Sequence, residues 1–134
     1  MTPFPLTIVT PYGVAFDGQA EELIVRTTTG DIGIMAGHLP CVAPLGTGRA
    51  TVVVDGQKRY AACIGGMLSV VNGEVRLVPT TFEWAEDIDV ARAEASYQRA
   101  RTILDSQSGS DTDIKLAEAR LRRALVRKSV VSTK

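Results

Sequence analysis

Residues 51–78 read TVVVDGQKRYAACIGGMLSVVNGEVRLV and contain two tight turns between runs of strand-forming residues. The turn pairs are Asp55-Gly56 and Asn72-Gly73, and each lies between two β-branched runs. Asp, Asn and Gly tolerate the positive φ angles that a two-residue hairpin turn requires. This stretch therefore predicts two antiparallel hairpins and assigns residues 51–78 to a β domain.

The remainder of residues 1–84 continues the pattern of short β-branched runs between Gly, Pro and polar residues. No helical pattern interrupts these runs, which disfavours parallel βαβ folds and favours antiparallel pairing. Many short strands of this kind predict a β-sandwich or a flattened barrel. The predicted strands are Leu6–Thr10, Val14–Phe16, Glu22–Arg26, Asp31–Met35, Thr51–Val54, Lys58–Ile64, Met67–Val71 and Val75–Val78.

The composition changes near residue 85. All six prolines and 11 of the 12 glycines precede that residue, whereas residues 85–134 carry 18 of the 30 charged side chains. Proline and glycine interrupt helices, so their near absence favours helical structure in this second part. The predicted fold is an all-β sandwich in an N-terminal domain, residues 1–84, followed by a C-terminal α-helical hairpin, residues 85–134.

The apolar residues of the second part follow a helical period. They form two stripes, Ala93, Tyr97, Ala100 and Leu104, then Ile114, Ala117, Leu121 and Leu125. Asp89 is predicted to cap the first helix, Asp111 or Asp113 the second, and residues 106–110 to connect them. Isolated helices of this length are marginal in water, so we expect the hairpin to need a partner surface.

Charge and hydropathy exclude several classes of protein. With 15 basic and 15 acidic residues the net charge is zero, which disfavours a dedicated nucleic-acid binder. Charge-free stretches such as Tyr60–Gly73 fall short of a membrane span. The first five residues lack the pattern of a secretion signal, so we expect membrane association only through a partner. Cys41 and Cys63 lack metal-ligand spacing and are predicted to be reduced thiols.

No recognisable catalytic arrangement is present in the sequence. His38 is the single histidine, and no Ser or Cys near it shows a nucleophile motif, so we interpret it as a loop residue. Acidic residues near predicted turns are typically solvated carboxylates. The sequence therefore predicts no enzyme, no catalytic residue and no metal site, and a small hydrolase on a β-sandwich has no support.

The arginines of the two predicted helices form two rows. Arg92 and Arg99 fall within about 20° of each other, and Arg120, Arg123 and Arg127 within about 60°. If the helices pack antiparallel, the rows converge into a basic cleft suited to polyphosphate oxygens, with Glu83 and Asp89 near its end. Spacing alone nevertheless favours solvated arginines, because charge on an exposed helical face is the usual case.

Several motifs resemble the ε subunit of the bacterial F-type ATP synthase. Residues 30–40, GDIGIMAGHLP, resemble that family's G-E/D-x-G-I-L-P-G-H-x-P block, with Ala36 in place of its usual proline. Residues 10–16, TPYGVAF, resemble its T-P-x-G opening, and residues 43–45 and 65–70 continue the match. Together these motifs are specific, and the match follows the same order of parts over nearly the whole chain.

The resemblance implies a ten-stranded β-sandwich and a helical hairpin in a non-catalytic rotor subunit. Such a subunit couples ion-driven rotation to ATP synthesis and sits in the central stalk with the γ subunit. It touches the c-ring near Asp31 and His38. Its hairpin can extend toward the α/β catalytic head and inhibit ATP hydrolysis. The implied location is peripheral, at the cytoplasmic face of the bacterial cell membrane.

Residues 88–93, IDVARA, resemble the I/L-D-x-x-R-A motif with which some bacterial members bind regulatory ATP. This shifts our interpretation of the basic cleft toward a ligand site, with Mg²⁺ left open. The helix-connecting loop is one residue longer than in similar sequences, so Arg122 could replace Arg123. The alternative function is a free-standing nucleotide-sensing adaptor. The implied ATP-binding residues are Glu83, Ile88, Asp89, Arg92, Ala93, Arg99, Arg123 and Arg127.

Overall fold

The computed structural model describes residues 1–106 and 109–133, which form eight strands, one 3₁₀ turn and two helices. The helices are α1, Val90–Ser106, and α2, Asp111–Thr133, and the 3₁₀ turn spans Ala85–Asp87. The strands are β1 Phe4–Thr10, β2 Gly13–Ala20, β3 Glu22–Thr27, β4 Gly30–Ile34, β5 Cys41–Pro44, β6 Thr47–Val54, β7 Gln57–Val71 and β8 Glu74–Trp84.

The strands are hydrogen-bonded in the order β2-β1-β8-β7-β6-β3-β4, with β5 also paired to β7. All pairs are antiparallel, as predicted, except β1 and β8, which run parallel with Leu6 opposite Val75. Buried residues from both ends of this order, such as Ile8 of β1 and Val25 of β3, belong to one core cluster. The sheet therefore folds over on itself, and the predicted β-sandwich followed by two helices is confirmed.

Both predicted hairpins are present. Asp55 and Gly56 have φ angles of 51° and 75°, and Asn72 and Gly73 have φ angles of 52° and 78°. Two consecutive positive φ angles define the type I′ turn, whose twist matches that of the strands. These turns connect β6 to β7 and β7 to β8, which form the middle of the sheet.

The strands differ from the prediction in length and number. β7 joins two predicted runs through Gly65 and Gly66, whose φ angles are 67° and 99°. A Cβ on Gly66 would lie 2.1 Å from the carbonyl oxygen of Val78, so only glycine lets β7 continue there. The described residues therefore form eight strands, where the resemblance implied ten. One reason is that β7 is a single long strand, which pairs with β6 along its first part and with β5 along its second.

Both helices begin at side-chain caps. The Arg92 N–H donates to Asp89 Oδ1 at 3.0 Å, which confirms Asp89 as the cap of α1. The predicted cap of α2 was wrong: Ser110 accepts from the Asp113 N–H at 3.2 Å, and Asp113 Oδ2 accepts from the Ser110 N–H at 3.1 Å. This reciprocal pair is a capping box. In the predicted 106–110 loop, Ser106 instead ends α1, and residues 107 and 108 lie outside the described residues.

The two helices pack antiparallel through small side chains. Near the end of α2, Lys128 Nζ lies 2.8 Å from Glu94 Oε2 near the start of α1. Leu125, predicted in the apolar stripe, is 45% exposed because Ala124 takes the inward position at that turn. The other stripe residues are buried or half-buried. The buried helix residues that form the seam are Ala93, Ala100, Ala117 and Ala124.

The sandwich itself supplies the partner surface that the hairpin was expected to need. Val130 of α2 is fully buried in a cluster with Ala62 of β7, Ala85 and Ile88. Half-buried Val126 packs against the same cluster. The end of α2 is thus fixed to the sandwich, and a cleft is left between the two structural parts. Neither α1 nor α2 is long and apolar enough to cross a membrane.

Both cysteines are free thiols, as predicted. Cys63 is buried in the sandwich core, and burial raises the pKa of its thiol to about 12. A thiol with so high a pKa stays protonated at neutral pH and is a poor nucleophile. Cys63 is therefore a core residue.

Candidate functional site

A cavity of about 810 Å³ lies between the hairpin and the sandwich. Its volume is within the range of roughly 300–1,000 Å³ that is usual for small-molecule sites. Both helices, β8 and the β1–β2 turn contribute to its wall. The lining residues are Tyr12, Thr81, Phe82, Glu83, Asp87, Asp89, Arg92, Ala93, Ser96, Arg99, Ala100, Ile103, Arg120, Arg123 and Arg127.

Seven of the eight residues implied by the motif line this cavity, namely Glu83, Asp89, Arg92, Ala93, Arg99, Arg123 and Arg127. Ile88 does not: it is 7% exposed and packs with Ala62 and Val130 beneath the hairpin. Of the two neighbouring arginines, Arg123 lines the cavity and the exposed Arg122 does not. The structure brings these groups together, while their role in binding ATP stays a prediction.

The cavity is electropositive. Five arginines line it against three carboxylates, those of Glu83, Asp87 and Asp89. Arg127 Nε donates to Glu83 Oε1 at 2.5 Å in a half-buried ion pair. The remaining four guanidinium groups have no hydrogen bond or ion pair to any residue in 1–106 or 109–133; they are those of Arg92, Arg99, Arg120 and Arg123.

Unpaired guanidinium groups converging on one cavity suit a ligand with several negative charges. Guanidinium forks bind phosphate oxygens through paired, charge-assisted hydrogen bonds. Glu83 and Asp89 each use one carboxylate oxygen internally, in the ion pair and in the α1 cap respectively. Their second oxygens can accept hydrogen bonds from hydroxyl or amino groups of the same ligand. The site is therefore chemically suited to a polyphosphate with a polar organic part.

Some lining residues were not predicted as site residues. Arg120 was placed in the basic cleft by its helical spacing with Arg123 and Arg127, but the motif did not add it to the implied ATP-binding residues. Tyr12 lies in the β1–β2 turn, and no local pattern connects this turn to α1 or α2. Only the folded chain brings Tyr12 to the cavity.

Asp31 and His38 lie away from the cavity, in and just after β4. Asp31 Oδ1 accepts from Arg26 Nε at 2.6 Å in an exposed ion pair. His38 Nδ1–H donates to the carbonyl oxygen of Leu39 at 2.7 Å, and the His38 N–H donates to that of Met35 at 3.2 Å. These bonds shape the turn, in agreement with a loop histidine.

A metal ion in this cavity would need ligands from a bound molecule in addition to those of the protein. Within residues 1–106 and 109–133, no three His, Cys, Asp or Glu side chains are close enough to hold a metal ion by themselves. Mg²⁺ commonly binds one or two carboxylates together with substrate phosphates. The carboxylates of the cavity fit that second arrangement.

Two family models together match almost the whole chain. The beta-sandwich domain of the ATP synthase Delta/Epsilon chain matches residues 3–85, and its long alpha-helix domain matches residues 86–132. The chain belongs to the ATP synthase delta/epsilon family. The resemblance to the ε subunit carried by residues 10–16 and 30–40 is thereby confirmed at the level of the family.

Relatives named ATP synthase epsilon chain support the same assignment over the full length. The protein of Ruminococcus albus is 40% identical over 135 residues, which cover 100% of both chains. That of Caldanaerobacter subterraneus subsp. tengcongensis is 40% identical over 96% of this chain and 94% of its own. That of Bacillus subtilis is 45% identical over 86% of each chain.

Solved structures share the fold. A chain in the cryo-EM structure of the Euglena gracilis mitochondrial ATP synthase OSCP/F1/c-ring matches 98% of this chain and 82% of its own, with a TM-score of 0.85 and 22% identity. A chain of the Tetrahymena thermophila mitochondrial ATP synthase central stalk and c-ring matches 95% of both, with a TM-score of 0.63 and 12% identity. Both matches extend over the sandwich and the helices.

Proposed function

We propose that this chain is a non-catalytic rotor subunit of a bacterial F-type ATP synthase whose hairpin binds ATP as a regulatory ligand. The observation that carries the regulatory part is a set of four arginines in one cavity between the helices and the sandwich, none of which has a hydrogen bond or ion pair from its guanidinium group to another described residue. A triphosphate supplies the compensating negative charge in a compact form. Glu83 and Asp89 accept hydrogen bonds from the nucleoside part.

The proposed site is complete only when the hairpin is closed. Arg92 and Arg99 belong to α1, Arg123 and Arg127 to α2, and Glu83 to the sandwich. A ligand that contacts all three elements binds the closed state and not the open one. It stabilises closure by RT ln(1 + [L]/Kd), about 2.7 kcal/mol at a concentration of 100 Kd. ATP therefore opposes extension of the hairpin, and ATP depletion favours inhibition of hydrolysis at the α/β head.

The proposed partners are the γ subunit and the c-ring in addition to the α/β head. Family membership and the assemblies that contain the structural matches support them. Asp31 and His38 are the proposed contact positions for the ring or stalk, next to the exposed apolar side chains of Met35 and Leu39. The chain would then lie peripherally at the cytoplasmic face of the membrane, where it is held only by the other subunits of the complex. Nucleic acid is not among the proposed partners.

Calorimetric titration with ATP tests the site, and neighbouring arginines provide a matched pair. Arg123→Ala is expected to weaken ATP binding about 10- to 100-fold, because a hydrogen bond to a charged group contributes roughly 1.5–3 kcal/mol. Arg122→Ala removes the same charge from an exposed position outside the cavity and should change the affinity less than about twofold. Equal losses in both variants, or no binding by the wild type, would contradict the proposal.

A second test separates the two roles of Asp89. Asp89→Ala removes an acceptor in the cavity and also the cap of α1, so it should weaken ATP binding sharply. Asp89→Asn retains the capping ability and removes only the charge. If the carboxylate contacts the ligand directly, both variants bind more weakly; if only the cap matters, Asp89→Asn binds like the wild type.

The alternative function, a free-standing nucleotide-sensing adaptor, uses the same cavity outside any rotary complex. Affinity purification of the tagged chain from solubilised membranes distinguishes the two. Recovery of γ and c subunits supports the rotor assignment, whereas a chain that binds ATP but recovers neither supports the adaptor.

A further inference from the structure

We propose that Tyr12 is the base-stacking residue of this cavity, so that the site selects a nucleoside triphosphate over a bare polyphosphate. This inference rests on the proposed function and adds a specificity-determining residue to it. The observation behind it is the convergence on the same cavity of one exposed aromatic ring and four guanidinium groups that are unpaired within the described part of the chain.

Tyr12 has no structural role that explains its position. It is 96% exposed and does not belong to either buried apolar cluster. Among residues 1–106 and 109–133, its hydroxyl has no hydrogen-bond partner and its ring has no aromatic or cation–π partner. When a flat ligand ring covers an exposed aromatic ring at the edge of a cavity, both rings leave water, and this lowers the free energy of the complex.

The turn that carries Tyr12 is well defined. The Tyr12 N–H donates to Thr10 Oγ1 at 3.1 Å, and the Thr10 hydroxyl donates to the Gly13 carbonyl oxygen at 3.2 Å. Thr10, the last residue of β1, also pairs with Gly13, the first residue of β2. The backbone of Tyr12 is therefore fixed before a ligand arrives, and only two side-chain torsions remain to be ordered on binding.

The two chemical halves of the cavity lie on different elements. The five arginines all belong to α1 and α2, whereas the aromatic residues, Tyr12 and Phe82, belong to the sandwich. A nucleotide has the same division, with phosphates at one end and an aromatic base at the other. A nucleoside triphosphate can thus place its phosphates against the helices and its base against Tyr12, whereas inorganic tripolyphosphate contacts only the helices.

Calorimetry with two ligands, ATP and inorganic tripolyphosphate, tests this inference on the full chain. Tyr12→Ala should weaken ATP binding about 5- to 150-fold, the range expected for loss of one base-stacking contact. It should leave the affinity for tripolyphosphate unchanged. Tyr12→Phe retains the ring and loses only the hydroxyl, so it should bind ATP within about twofold of the wild type. Because Tyr12 is exposed, all variants should unfold at the wild-type temperature.

The outcomes separate this inference from the proposed function. If the wild type binds ATP and Tyr12→Ala binds it equally well, the stacking role is wrong and the ATP site stands. If Tyr12→Ala weakens both ligands equally, or Tyr12→Phe behaves like Tyr12→Ala, stacking is likewise excluded. If the wild type does not bind ATP, the proposed function fails first. It is also possible that the wild type binds ATP but not tripolyphosphate. In that case, ATP binding that is retained by Tyr12→Phe and lost by Tyr12→Ala supports the role of the base.

Discussion

The sandwich and the hairpin are held together by different kinds of side chain. The sandwich core contains fully buried large residues such as Leu6, Leu23 and Leu77. Every buried residue of α1 is an alanine, and α2 adds only Val130 to two more alanines. Fully burying a Leu contributes roughly 1.5–3 kcal/mol, and an alanine methyl contributes much less. We therefore expect the sandwich to be stable by itself and the hairpin to open more readily than the sandwich unfolds.

This difference shows how a ligand can control one part of the chain and not the other. The hairpin is supplemented by ion pairs such as Lys128–Glu94 and Arg127–Glu83, which are exposed or half-exposed. Pairs of this kind typically contribute up to about 1 kcal/mol each. A bound nucleotide that stabilises the closed hairpin by a few kcal/mol would strongly shift its opening equilibrium. The same stabilisation would have little effect on a β core that unfolds as a unit.

The largest effect is expected from Gly66→Ala in the sandwich. The new Cβ would lie 2.1 Å from the Val78 carbonyl oxygen, at a φ of 99° that alanine rarely adopts. Overpacking and backbone strain each cost roughly 1–3 kcal/mol, so the loss should be about 2–6 kcal/mol. Urea unfolding measures it.

Gly33→Ala is the matched control for that variant. Gly33 lies in β4 without a positive φ, and a Cβ there meets no atom within 4 Å. Its stability should therefore stay within about 0.5 kcal/mol of the wild type. Similar losses of unfolding free energy for both substitutions would show that backbone crowding at Gly66 in β7 is not what destabilises the sandwich.

An intermediate effect, confined to the hairpin, is expected from Ala117→Phe. Ala117 is buried in the α1–α2 seam, where an added ring forces the helices apart. Overpacking costs roughly 1–3 kcal/mol, which should increase opening of the hairpin by about 5- to 150-fold. Hydrogen exchange should show faster exchange in α1 and α2, with core amides of β6 and β7 unchanged.

Leu116→Phe provides the control for Ala117→Phe, because Leu116 is the preceding residue and is 48% exposed. It adds an aromatic ring to the solvent side of α2 and should leave exchange in both helices nearly as in the wild type. Loss of protection in the sandwich core of Ala117→Phe would contradict the separation of the two parts.

The smallest effect is expected from the pH dependence of the Glu94–Lys128 pair. Hydrogen bonds from Lys128 and then Gln98 lower the pKa of Glu94 below its ordinary value of 4.5. A lowered pKa in the closed state means that the pair stabilises closure above pH 4.5 and loses this contribution as the pH falls through the lowered value. Amide hydrogen exchange in α1, after correction for the pH dependence of the intrinsic exchange rates, should become slightly faster on acidification.

Glu94→Gln removes the titrating group and should flatten that part of the pH profile. The Gln98 bond lies within α1, so only the Lys128 contribution depends on closure. A profile identical to that of the wild type would show that this pair does not contribute to closure.

Local signals in the sequence predicted most of the helices and strands, but they missed β5 and could not predict every contact. Asp55-Gly56 and Asn72-Gly73 were predictable because a type I′ turn depends on two adjacent residues. β5 was missed because it has only four residues and ends at Pro44, a residue that sheets accept mainly at edges. Ser110 was passed over as a cap because the acidic residues that follow it are also good caps.

The site was predictable where it follows a helical period and not where it depends on the tertiary fold. Arg92, Arg99 and Arg123 reach one cavity because their spacing places them beside the seam. Ile88 belongs to the same motif but packs under α2, since its neighbours in space come from β7 and the end of α2. Tyr12 reaches the cavity only through the pairing of β1 with β2 and β8.

Hydrogen exchange with and without ATP tests the central claim most directly, that a nucleotide in the cavity holds a marginal hairpin closed on a stable sandwich. At an ATP concentration of 100 Kd, amides of α1 and α2 that exchange by hairpin opening should gain about 100-fold protection. Amides in β6 and β7 that exchange without hairpin opening should be unchanged. Helix amides that exchange at the same rate with saturating ATP as without it would contradict the claim.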